Sequence, residues 1–197
     1  MEKYNKTYSV NKNIKPSQIL SLIWKNFLSN SKIIDLGCGQ GNDSLFLVKN
    51  GFLVTAIDSS SVAINQMKVK KDELKLNNLE LICDDITNFN IEKDKYQVII
   101  CRNVLNFLDK NKALEILNDF KDNIQKDSYI IIEVFTKNDP SFISNNKFVS
   151  YFDEQELLNL FSDYEIIYYL ENIILDPGHF GFSSPHKHGV ARIIAQK

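Results

Sequence analysis

From about Lys32 to Phe135 the chain alternates short apolar runs with amphipathic stretches. The runs Lys32–Leu36, Leu53–Ile57, Leu79–Cys83, Gln97–Cys101 and Tyr129–Phe135 have the length and composition of strands. Between them, Asp43–Lys49, Ser61–Leu76 and Asp109–Ile124 repeat apolar residues at helical spacing. Ile33-Ile34, Val98-Ile99-Ile100 and Ile130-Ile131-Ile132 do not alternate with polar residues, as expected of strands covered on both faces. Upstream, Pro16-Ser17 opens a predicted helix in which Ile19, Leu20, Ile23, Trp24, Phe27 and Leu28 share one side. Downstream come a helix around Asp153–Phe161, a strand around Tyr164–Leu170, a polar loop and a final strand Val190–Ala195.

Strands that alternate with helices require crossovers, and right-handed crossovers build a parallel sheet layered between helices. The last two strands are joined by a loop alone, so they form an antiparallel hairpin at the sheet edge. The expectation is an α/β, Rossmann-like sandwich with a mostly parallel seven-stranded sheet, in one domain spanning 1–197. No repeat, low-complexity tract or linker divides it. The first fifteen residues are rich in Lys, Asn and Tyr and show no period, so they are read as an arm. With Tyr4 and Tyr8 that arm could act as a lid.

Composition narrows the partners. Lys plus Arg number 23 and Asp plus Glu 25, a net charge of −2, which argues against nucleic acid as the main ligand. No apolar run approaches the roughly 18 residues needed to span a bilayer, and no apolar segment follows the first Met. Cys38, Cys83 and Cys101 are odd in number and lack close pairing. Reduced thiols in a cytoplasmic protein, without membrane attachment, are expected.

The chemistry concentrates in Asp35-Leu36-Gly37-Cys38-Gly39-Gln40-Gly41, between a predicted strand and a predicted helix. In an open α/β sheet ligands bind at the carboxyl ends of the strands. Glycines there let the backbone turn with positive φ and approach a ligand closely. The following helix points unpaired N–H groups at the same space. A dinucleotide site needs GxGxxG, but the third glycine would fall at Asn42 or Ser44.

The GxGxG spacing, with Asp35 two before the first glycine, resembles motif I of the class I S-adenosylmethionine-dependent methyltransferases. That resemblance implies S-adenosyl-L-methionine as cofactor, S-adenosyl-L-homocysteine as product, and a cradle made by Asp35, Gly37, Cys38, Gly39 and Gly41. Asp58, ending the second strand and followed by Ser59, is placed to accept both ribose hydroxyls. Asp85 and Ile86 correspond to the family's adenine contacts, with Asp84 as the neighbouring choice. Arg102 and Asn103 either pass under the sulfonium or brace adjoining loops. The Asn/Asp-Pro-Pro-aromatic motif of enzymes that methylate nucleobase amino groups is missing, as is the acidic metal triad of the catechol type.

The stretch Phe148-Val149-Ser150-Tyr151-Phe152, then Glu156-Leu157-Leu158, Phe161 and Glu165, is similar to small-molecule methyltransferases, the tellurite-resistance TehB type among them. The ending from Gly189 to Lys197 fits their last strand. The resemblance spans about Ile14 to Lys197 and implies methyl transfer to a small-molecule substrate. The alternatives are a non-enzymatic cofactor-binding module and a protein or RNA methyltransferase.

All three histidines, His179, His186 and His188, fall between the last two predicted strands, in a loop with Phe180 and Phe182. Three readings stand. The histidines hold a metal; or His179 and His186 meet the substrate, one of them taking its proton; or the loop is polar surface. Pro185 restrains the backbone before His186 and favours it as the substrate-facing residue. No metal ligand set is assigned, because the sequence identifies no carboxylate to orient the rings.

Overall fold

The computed structural model describes residues 14–143, 149–177 and 184–197. Tyr4, Tyr8, Phe148, His179, Phe180 and Phe182 lie outside them. Strands β1 (Lys32–Leu36), β2 (Leu53–Asp58), β3 (Leu79–Cys83), β4 (Val98–Arg102), β5 (Tyr129–Phe135), β6 (Glu165–Asp176) and β7 (His186–Gln196) form one sheet in the order β3-β2-β1-β4-β5-β7-β6. The first five are parallel, and β7 runs antiparallel to both its neighbours. Among the described residues the helices are α1 (Gln18–Ser21), α2 (Asn42–Lys49), α3 (Ser61–Glu73), α4 (Lys110–Asn123), α5 (Pro140–Ile143) and α6 (Glu156–Leu160).

Successive strand residues point to opposite faces, and the two faces carry separate cores. Ile34, Leu36, Ile99, Ile130 and Ile132 pack with Leu117 and Phe120 of α4 and Leu157 of α6. Ile33, Val98, Ile100 and Ile131 pack with Leu20 of α1, Leu45 and Leu47 of α2, and Met67 of α3. Each such aliphatic side chain is worth about 1.5–3 kcal/mol when fully buried. Apolar runs without alternation are what this double burial demands.

Local chemistry sets the helix ends. Ser60 caps α3 by accepting from the Ala63 N–H at 3.3 Å. The helix stops at Glu73, short of the predicted Leu76, where Lys75 turns left-handed at φ 53°. Asp109 caps α4 at the Asn111 N–H.

Two regions differ from the periodicity. The helix predicted through Leu28 ends at Ser21; Ile23 departs to φ −130° and a 3-10 turn, Trp24–Asn26, follows. Ile19, Leu20, Ile23 and Phe27 are still buried, but Leu28 is 77% exposed. The hairpin is also longer than predicted, and His186 and His188 belong to β7 rather than to the loop. Polar residues at that end engage one another, so they carry no apolar alternation. One residue of β6, Ile167, is extra in the pairing: Ile166 faces Ala195 and Tyr168 faces Ile194. This bulge sets the register of everything beyond it.

Candidate active site

The loop after β1 is held by backbone bonds to the end of β2. The Gly37 and Cys38 N–H groups both donate to the Ile57 carbonyl, at 2.8 and 2.9 Å. The Gly39 N–H donates to Asp58 Oδ2 at 2.7 Å, and Asp58 Oδ1 accepts from the Ser60 N–H at 2.8 Å. Gly37, Gly39 and Gly41 all have positive φ, at 71°, 54° and 73°. Their surroundings differ. A Cβ on Gly37 would lie 2.0 Å from a Val104 methyl, whereas a Cβ on Gly39 would meet nothing within 4 Å. Gly37 is glycine for packing, and Gly39 faces open space.

A buried charge network lies beneath. Asp35 accepts from the Ser44 hydroxyl. Burial first, and the Asp43 carboxylate second, push its pKa up to about 7, against smaller opposing pulls from Ser44 and Arg102. Asp43 takes the Ser17 N–H at 2.6 Å and Arg102 Nη1 at 2.8 Å, which ties the segment before α1 to β4. Glu133 on β5 accepts from Asn103 Nδ2 at 2.7 Å, from Arg102 Nη2 at 3.4 Å and from Arg192 Nε. Asn103 is left-handed, at φ 56°, and its buried Oδ1 has no hydrogen-bond partner. Sequence reasoning singled out Arg102 and Asn103 but not Asp43, Glu133 or Arg192.

Three cavities meet along the carboxyl ends of these strands. One of about 450 Å³ is lined by Gly37, Gly39, Asp58, Ser59, Asp85, Ile86, Asn103 and Phe107, among others. A second, of about 360 Å³, lies on the other side of Gly37, against Asp35, Cys38, Asp43, Arg102 and the segment Lys15-Pro16-Ser17. A third, also about 360 Å³, is bounded by Arg102, Asn103, Phe107, Glu133, Phe135, Asp176, His188 and Arg192. Every residue predicted for the cofactor except Gly41 lines the first or second cavity. Gly41 instead caps the N-terminus of α2. Asp85 caps the 3-10 turn Ile86–Asn88, accepting from the Thr87 N–H and hydroxyl, and Asp84 turns to Asn88.

The histidines sit at the third cavity. His188 is buried, stacks on Phe135 at 4.6 Å, and bonds through Nδ1 to Asp139 Oδ2 at 2.8 Å. Asp139 Oδ2 also accepts from the Gly189 N–H, and Oδ1 accepts from the Ser141 N–H and hydroxyl. Burial alone would raise the Asp139 pKa, but these bonds from His188 and Ser141 outweigh it and hold the carboxyl below its ordinary value. His186 Nε2 lies 2.9 Å from His188 Nε2. Asp139 is thus the ring-orienting carboxylate that sequence reasoning lacked. Its one signal was Gly189, where a Cβ would lie 2.4 Å from the Asp139 nitrogen.

This geometry has close counterparts. The family model of the tellurite resistance protein TehB matches residues 2–175. TehB of Haemophilus influenzae strain Rd, named a probable S-adenosyl-L-methionine-dependent methyltransferase, is 30% identical over 147 residues, covering 74% of this chain and 50% of that protein. The crystal structure of TehB from Haemophilus influenzae superposes with a TM-score of 0.76 at 27% identity, covering 90% of this chain and 59% of that one. The magnesium protoporphyrin IX methyltransferase of Synechocystis PCC 6803 with bound SAM shares the fold, with a TM-score of 0.64 at 17% identity over 91% of this chain and 76% of that one. The chain spans about half the length of the curated TehB relatives it matches. By the family match over most of its residues, and by a sheet and glycine loop built as described, the chain belongs to the tellurite-resistance TehB family.

Proposed function

We propose that this protein transfers a methyl group from S-adenosyl-L-methionine to a small-molecule acceptor by in-line displacement at carbon. The observation that carries the reading is the meeting of three cavities around Gly37, Arg102 and Asn103. The open face of Gly39 and the orphaned Asn103 Oδ1 suit a group seated there. In this reading Asp58 and Ser59 hold the ribose, and Asp85 and Ile86 the adenine. Asp35, Cys38 and Arg102 border the amino-acid half. When bound, the cofactor supplies an activated methyl on a sulfonium with a thioether leaving group.

The chain's part is to fix the line of approach and exclude water, which can supply roughly 7–11 kcal/mol. Phe107 and Phe135 give the third cavity apolar walls, and Asn103 is shared with the cofactor cleft. Of the two histidines predicted to meet the substrate, His186 contacts the cavity-lining His188, and His179 lies outside the described residues. We read 1–197 as a single domain of a cytoplasmic protein. No helix among the described residues is long and apolar enough to cross a membrane.

The test has two parts. Cofactor or product at 100 times its dissociation constant should stabilise the fold by about 2.7 kcal/mol, and NAD should not. Release of S-adenosylhomocysteine across a panel of O, N, S and Se/Te acceptors then identifies the substrate class. Binding without turnover on any acceptor would favour a binding module, and stabilisation by NAD alone would sink the reading.

A further inference from the structure

The β6–β7 hairpin brings three metal-ligating side chains to one face. His186 and His188 are two apart on β7 and so project to the same side. Asp176 is the cross-strand partner of His186 and shares that side. Their ligand atoms all lie within 4.8 Å of one another.

Hydrogen bonds fix the tautomers. His186 Nδ1 is 3.0 Å from the Ser184 carbonyl, which only accepts, so the ring hydrogen is on Nδ1. His188 Nδ1 likewise donates to the Asp139 carboxylate. Both Nε2 atoms therefore present lone pairs, and these lie 2.9 Å apart. Two lone pairs at that distance repel unless positive charge sits between them. A shared proton would need only the two nitrogens. The convergent Asp176 carboxylate adds the third donor that a metal ion uses.

We propose that Asp176, His186 and His188 bind one divalent transition-metal ion of the zinc type, with Asp139 and Ser184 holding the two rings. Imidazole and carboxylate suit such an ion, and ligand distances of about 2.0–2.2 Å put nitrogens roughly 3.3 Å apart at a tetrahedral angle. The pair has to open by only a few tenths of an ångström. Carboxylate and carbonyl partners on the remaining ring nitrogens are the usual support of ligating histidines. Asp176 and His188 line the third cavity, which puts the ion at its wall. The ligand class is then an acceptor that offers a hydroxyl or oxyanion oxygen. That last step rests on the third cavity being the acceptor site; binding of the ion does not.

The test uses the full chain stripped with chelator and titrated with zinc by calorimetry and with cobalt(II) by visible absorption. One equivalent of each should bind, cobalt with the intense bands of a tetrahedral site. Asp139→Asn should weaken zinc binding about 10–100-fold, and Asp176→Asn and His186→Gln by more than that. The last two positions are only half-buried, so these variants do not depend on the buried His188. S-adenosylhomocysteine affinity, measured on the same samples, should not change. Absence of stoichiometric zinc binding with cofactor binding intact overturns the metal site alone and leaves a shared proton. Zinc binding that survives both Asp176→Asn and His186→Gln overturns it too, because the ion is then elsewhere.

Discussion

The cofactor side of the cleft and the acceptor side are made by different means. Between Asp35 and Ile86 the surface is largely backbone: glycines at positive φ, N–H groups aimed at Ile57 and Asp58, and strand ends that stop in step. Around the third cavity it is side chain against side chain, with partners 49 residues apart in Asp139–His188 and 59 apart in Glu133–Arg192. A backbone cradle tolerates little change and marks itself in local sequence. A side-chain network is adaptable and marks itself hardly at all. The difference teaches where a substitution should be felt: as cofactor affinity on one side, as stability or acceptor handling on the other.

The sharpest way to break this contrast is Glu133→Ala. Glu133 is 3% exposed and pairs with two arginines; Arg102 keeps Asp43, so the loss of Glu133 takes the ion-pair partner from the buried Arg192 guanidinium. Unfolding in urea should show a loss of about 3–5 kcal/mol. A loss below 1 kcal/mol would mean that the acceptor side is not held by its charges. Next in size is a pH effect at Asp35. A folded-state pKa of about 7 against 3.8 means that the protonated form is favoured by folding. Its stabilisation is fully present below 3.8 and lost as pH rises through 7. Asp35→Asn removes that dependence, so its stability relative to the parent should improve by up to about 1.4 kcal/mol per pH unit across that window and stay level above it. A constant difference from pH 4 to 8 would refute the buried carboxyl.

The paired glycines sharpen the comparison within the cofactor side. Gly37→Ala must displace Val104 and adopt a left-handed backbone, so it should cost about 1–3 kcal/mol in overpacking before any strain. Gly39→Val meets no neighbour but must hold a branched residue at φ 54°, so it should stay folded at the cost of that strain alone and lose cofactor binding, because its side chain enters the cavity. Equal melting temperatures, or equal calorimetric affinities, would erase the distinction. Asp58→Ala should lower cofactor affinity at least about tenfold, each charged hydrogen bond being worth about 1.5–3 kcal/mol. Part of that loss would come through the loop, since Asp58 also holds the Gly39 N–H. The smallest expected change is in cofactor affinity on His186→Ala, within about twofold, while turnover on the true acceptor falls. A tenfold change in cofactor affinity would move the histidines to the wrong side of the cleft.

The parts legible in the sequence were those that obey a period or a steric rule. Two-sided burial wrote apolar runs into β1, β4 and β5, and the need for backbone approach wrote the glycines of the loop. The helix after Ser17 was misread in length because Ile23 and Phe27 keep helical spacing while the chain between them turns more tightly. The end of the hairpin was missed because His186, His188 and Asp176 are directed at one another, and mutual polar contacts have no hydrophobic signature. Asp139 was invisible for a related reason: it reaches His188 only through the fold.

The bulge at Ile167 works as a counter. Strand side chains have a period of two, so an odd number of inserted residues inverts the phase of all that follows. The bulge takes up Ile167, so Asp176 still meets His186; drawn flat into the ladder, the same extra residue would put Leu175 opposite His186 and turn Asp176 to the other face. The decision is made about 30 Å from where it matters. An Ile167 deletion gives an unbulged ladder with Asp176 still opposite His186, so zinc affinity should survive it; loss of that affinity would show that the bulge itself shapes the far end of the hairpin.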